Sequence, residues 1–64
     1  MKVKITELLR VKIGTSTEFN YVSYIVSSRT ECRDNTDRSA YDALEFTGEK
    51  CVQMGAVCVE RLDN

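Results

Sequence analysis

The sequence predicts an α+β fold: a small antiparallel sheet with one helix packed on one face, in the order β-β-α-β. Three observations carry this expectation. Apolar residues alternate along residues 2–13, an aromatic and β-branched run covers Phe19 to Val26, and small apolar residues recur at helical spacing from Ala40 onward. The sheet is expected to have three strands, or four if the first strand is split in two.

In the first strand, Val3, Ile5, Leu9, Val11 and Ile13 share one phase, while Lys2, Lys4, Thr6, Arg10 and Lys12 share the other. A period of two with high β-branched content is the pattern of a strand with one buried face. Glu7 interrupts the apolar phase, and with the Leu8-Leu9 pair it predicts a bulge or bend. Gly14 to Thr17 has turn chemistry, so the first two strands are expected to pair as a hairpin. Both phases of Phe19 to Val26 are apolar, which predicts a strand buried on both sides or central in the sheet. Alternation leaves open which of Tyr21 and Tyr24 faces outward.

From Ser27 to Arg38 the apolar period disappears into Ser, Thr, Asn, Asp and Arg, the composition of a surface loop. Ser39 followed by Asp42 fits a capping box and predicts that the helix begins there. Ala40, Ala43, Leu44, Thr47, Gly48 and Cys51 then fall on one helix face. Such small side chains imply close approach to the sheet, with Gly48 at a backbone contact that a larger residue would block. Gly55 predicts the helix stop, and Ala56 to Leu62 the final strand.

At 64 residues the chain has room for one core, a single domain over 1–64, whose stability is marginal unless a partner, metal or disulfide contributes. Its 42% apolar and 30% charged residues are those of a folded protein, not a disordered one. Charges at Glu7, Arg10 and Lys12 interrupt any early apolar run that a leader or a membrane span requires. Three cysteines cannot all pair within one chain, so a reducing, cytoplasmic setting is expected. A net charge of −1 argues against gripping nucleic acid through bulk electrostatics, though not against a local basic patch.

The chain has no histidine and so lacks the usual proton shuttle near neutral pH. A non-catalytic role without a cofactor is the resulting expectation. Cys51 and Cys58 fall on elements expected to be buried, where a thiol acts as a small apolar group. Cys32, between Glu31 and Arg33 in the polar loop, is the one thiol expected to be exposed. The cysteines are 19 and 7 positions apart (32 to 51, 51 to 58), with no CxxC pair, so no metal site is read from them. The glycines stand too far apart for a phosphate loop.

Two surfaces remain. Asp42, Glu45, Phe46 and Glu49, with Gln53 one turn on, are expected on the outer helix face as an aromatic ringed by acids, suited to anchoring in a basic groove of a protein partner. Lys2, Lys4, Arg10 and Lys12, together with Tyr21 or Tyr24, form the alternative: a single-stranded nucleic-acid platform on the sheet. Lysines on a strand also protect it from edge-to-edge aggregation. A third reading is a homodimer formed through an exposed strand or the apolar surplus of Phe19 to Val26.

The layout, with Ala40, Ala43 and Leu44 in the helix, then Gly55 and a Val-rich strand from Val57, resembles small phage-encoded inhibitors, among them certain anti-CRISPR proteins and a viral inhibitor of bacterial RNA polymerase. The resemblance is one of layout over most of the chain, and it transfers no functional residue. It implies a complete small protein that occludes a surface on a larger machine, and with the acid-ringed Phe46 the expected target is a nucleic-acid-binding surface of a host complex.

Overall fold

The structure, a computed structural model, describes residues 1–63. Two eleven-residue strands, β1 (Val3–Ile13) and β2 (Ser16–Val26), come first, followed by a short 3-10 turn at Arg29–Glu31 and the helix α1 (Asn35–Thr47). A second hairpin, β3 (Cys51–Met54) and β4 (Val57–Arg61), completes the chain. All pairings are antiparallel, and the four strands lie in the order β2-β1-β4-β3. The α+β class, with one helix on one face of an antiparallel sheet, is as the sequence predicts. The strand after the helix is a hairpin of two.

The core lies between α1 and one end of the sheet. Val3 and Ile5 of β1, Val26 of β2, and Val57 and Val59 of β4 are buried against Ala40, Tyr41 and Leu44 of α1. Each fully buried aliphatic side chain contributes about 1.5–3 kcal/mol by leaving water, so this small set carries most of the hydrophobic stabilisation. Arg61 ties the far end of the helix to the sheet. Its Nη2 donates to the carbonyl of Leu44 at 3.1 Å and its Nε to that of Glu49, just past the helix, at 3.3 Å.

Several local expectations are corrected. The fourth strand is β3, not a fragment of β1, which runs in constant register from Val3↔Val26 to Ile13↔Ser16 with no bulge at Glu7. Strand β2 is an edge strand, with β1 and β4 internal, and most of the apolar surplus of β2 is exposed, not buried twice. The helix starts a full turn before Ser39: Asp34 is the N-cap, and its Oδ1 accepts from the backbone N–H of Asp37 at 2.9 Å. An aspartate caps as well as a serine, and the earlier cap won because Asp37 and Ala40 then fall on the buried face.

Gly48 is not pressed against the sheet. It closes the helix in the left-handed conformation (φ 68), donating its N–H to Leu44 O at 3.1 Å, and a Cβ there would meet no atom within 4 Å. The packed stripe is therefore Asp37, Ala40, Tyr41 and Leu44, and Cys51 belongs to β3 instead. Gly55, expected as the helix stop, makes the tight turn between β3 and β4 at φ 59.

Strands β1 and β2 outrun the rest of the sheet. Strand β4 accompanies β1 from Val3 to Glu7, with one further hydrogen bond from Leu8 N to Ala56 O at 3.0 Å. Beyond it, Leu9 to Asn20 form a two-stranded arm, and the molecule measures 43 × 19 × 18 Å.

Candidate functional site

Register decides which side chains share a face, because directly paired residues of antiparallel strands project to the same side. Lys4 lies opposite Ile25, Thr6 opposite Ser23, Leu8 opposite Tyr21, Arg10 opposite Phe19, and Lys12 opposite Thr17. Thr6 Oγ1 and Ser23 Oγ are 3.0 Å apart across the pair. These residues occupy the face of the sheet turned away from α1, since Val3, Ile5 and Val26 have the opposite phase and are buried. Strands β3 and β4 add Cys51, Gln53, Cys58 and Glu60. Glu60 is the one acid among the strand residues of this face, set against Lys4, Arg10 and Lys12.

The open face is also aromatic. Tyr21 is 76% exposed and Phe19 62% exposed, with Ile25 exposed nearby. Of the sequence-predicted set, Lys4, Arg10, Lys12 and Tyr21 are brought together here. Lys2 precedes the strand, and its backbone is held by Asp63 Oδ2 at 2.9 Å and by Leu62 N at 2.8 Å. Tyr24 is the correction: it pairs with Ile5 and turns toward the helix side, where its hydroxyl donates to Asp37 Oδ2. The backbone N–H of Arg33 donates to the same hydroxyl at 3.0 Å, and the Arg33 guanidinium stands 4.1 Å from the Tyr24 ring centroid. Burial and the Asp37 contact push the Tyr24 hydroxyl up in pKa. Phe19 was not predicted for this platform, although its spacing of two from Tyr21 was the available signal.

The acid-ringed aromatic is only partly assembled. Phe46 is 91% exposed and Glu45 beside it is exposed. Asp42, however, is engaged by Arg29, whose Nε lies 2.8 Å from Oδ1 and 3.0 Å from Oδ2. Glu49 lies past the C-cap, where its backbone N–H donates to Thr47 Oγ1 at 3.3 Å, and Gln53 is on β3. The helix ends too early to carry either on its outer face.

Cys32 and Cys51 reverse their expected places. Cys32 is buried in the core, and burial pushes its thiol up in pKa, whereas Cys51 is exposed and Cys58 partly buried. All three are free.

A carboxylate cluster went unread in the sequence. Glu7 shares the core-side phase of β1, and one oxygen each from Glu7, Asp34 and Asp37 lie within 4.8 Å of one another. Asp37 is fully buried, and both Asp37 Oδ1 and Glu7 Oε1 are buried oxygens that receive no hydrogen bond among the described residues. The neighbouring Asp37 carboxylate, reinforced by burial, pushes the Glu7 carboxyl up to about 7. The available signal was Glu7 itself, a charge in the apolar phase of a strand.

No helix among the described residues is long and apolar enough to cross a membrane. No family model, curated protein or solved structure matches the chain.

Proposed function

We propose that the chain is a non-catalytic binding domain whose open sheet face receives single-stranded nucleic acid. The observation that carries this reading is the direct pairing of Arg10 with Phe19, flanked by Leu8 opposite Tyr21 and by Lys12. Bases stack on exposed aromatic rings at about 1–3 kcal/mol each, and adjacent cations neutralise the phosphates between them. The net charge of −1 is compatible with this because the acids lie mainly elsewhere, on α1, its flanking segments and the helix-side phase of the strands.

Fluorescence anisotropy with labelled 15-nucleotide dT and U oligomers tests it. Saturable binding at low salt is expected, with a log–log salt slope of about −2 for three neutralised phosphates on a single strand. Phe19→Ala with Tyr21→Ala, or Arg10→Glu alone, should weaken it by roughly tenfold or more. Absence of binding to both oligomers at low salt rules this reading out.

A second reading is favoured by Phe46: a protein-binding inhibitor that docks Phe46 and Glu45, with Asp42 and Glu49 at the margin, into a basic groove of a nucleic-acid-binding partner. A large aromatic left 91% exposed has no role in this fold's own packing. Phe46→Ala should then abolish capture of that partner while leaving oligomer binding and thermal stability unchanged.

A further inference from the structure

We propose that Glu7, Asp34 and Asp37 form a binding site for a hard divalent cation that clamps β1 to the start of α1. The three residues come from separate parts of the fold, a central strand and the first turn of the helix, yet they present oxygens within 4.8 Å of one another. Ligands around a cation with metal–oxygen bonds of about 2.1–2.5 Å stand roughly 3 to 5 Å apart, depending on whether they are adjacent or opposite. The trio fits that spacing. All three donors are carboxylates, a set that selects magnesium, manganese or calcium over zinc or copper.

An independent observation points to a missing positive partner. Asp37 is fully buried, but its Oδ1 has no donor, and the Glu7 Oε1 beside it is likewise buried without one. A buried carboxylate oxygen left without a donor is strongly unfavourable, and a cation between the two would satisfy both. The remaining oxygens are already oriented. Asp37 Oδ2 receives the Tyr24 hydroxyl and Asp34 Oδ1 receives the Asp37 N–H, contacts of the kind that hold ligating carboxylates in place. Asp34 is exposed, so its side of the site is open to waters that would complete the coordination. The helix N-terminus and Arg33 oppose the cation, which sets the expected dissociation constant at about 10⁻⁴ to 10⁻³ M.

The test uses the whole chain at pH 7.5 in EDTA, then with 10 mM magnesium, calcium or manganese chloride in turn. At least one cation is expected to raise the melting temperature by several degrees, and manganese should selectively broaden the amide resonances of residues around 7 and 34–37. Glu7→Gln should abolish both effects. Asp34→Asn, which keeps the N-cap, provides a second variant with the same expectation, while Glu45→Gln should respond as wild type does. A melting temperature unmoved by all three ions overturns the proposal and leaves a shared proton as the occupant. So does a shift that survives both Glu7→Gln and Asp34→Asn, or broadening spread over the exposed acids of α1.

Discussion

Glu7 on β1 and Asp37 on α1 face each other with one buried, undonated carboxylate oxygen apiece. In the absence of a cation this is a cost of folding, since two like charges share a poorly solvated place. Replacing Glu7 by Gln removes one charge and supplies an amide N–H for the Asp37 acceptor. Metal-free Glu7→Gln is therefore expected to be more stable than wild type by about 1 kcal/mol at pH 8, read as a higher urea midpoint in EDTA. A lower midpoint would mean that the two carboxylates do not oppose each other.

Glu7 also shows how the sequence can be legible and still be misread. The alternation of β1 is plain in the sequence, and so is its interruption, but a break in phase fits a bulge as well as a buried charge, and here the backbone stays regular. The strand kept its register, and the charge stayed on the core side to meet Asp37. The helix boundaries differ from the expected ones for another reason. Asp34 and Ser39 are both competent caps with an acid three residues on, and local chemistry does not rank them; the packing of Ala40 and Leu44 on the sheet does. Cys51 to Met54 carries too few residues to declare a period, and its strand is defined by pairing with Val57 to Glu60. Of the candidate platform, the basic row was readable from β1 alone. The choice of Tyr21 over Tyr24 required the register of the hairpin, which a run apolar in both phases does not specify.

Gly48 separates two explanations of a glycine near a helix end. Its positive φ costs an L-residue roughly 1–2 kcal/mol, whereas the space around it is open. Gly48→Ala and Gly48→Leu should thus lower stability by similar amounts, with Gly48→Asn milder, in thermal unfolding. A loss that grows steeply from Ala to Leu would indicate crowding against the sheet instead.

The cysteines should react in an order set by burial. Cys51 is exposed, Cys58 partly buried, and Cys32 only 5% exposed with its thiol pushed up in pKa by burial. Mass-resolved alkylation of the native protein is expected to label Cys51 first and Cys32 last, the two differing by roughly tenfold or more in rate. Rapid labelling of Cys32 would mean that the segment joining β2 to α1 opens readily.

The arm joins the fold to its proposed function. From Leu9 to Ile13, β1 has β2 as its only strand neighbour among the described residues, and Leu9, Val11 and Ile13 on the helix-side phase lie beyond the reach of α1. A hairpin supported on neither face is marginal in water, so its amides should exchange with solvent faster than those of Val3 to Glu7, which sit between two strands under the helix. A difference of at least tenfold, about 1.4 kcal/mol in local opening, is expected. Adding saturating oligo-dT should then slow exchange along the arm if Phe19 and Tyr21 hold the bases, because binding to the ordered form lowers the population of the open one. Protection that appears instead around Glu45 and Phe46 would transfer the binding surface to the helix. Arm amides as slow as the core before any ligand is added would show that the arm already has a partner, and a second copy of the chain would be the first to examine by sedimentation.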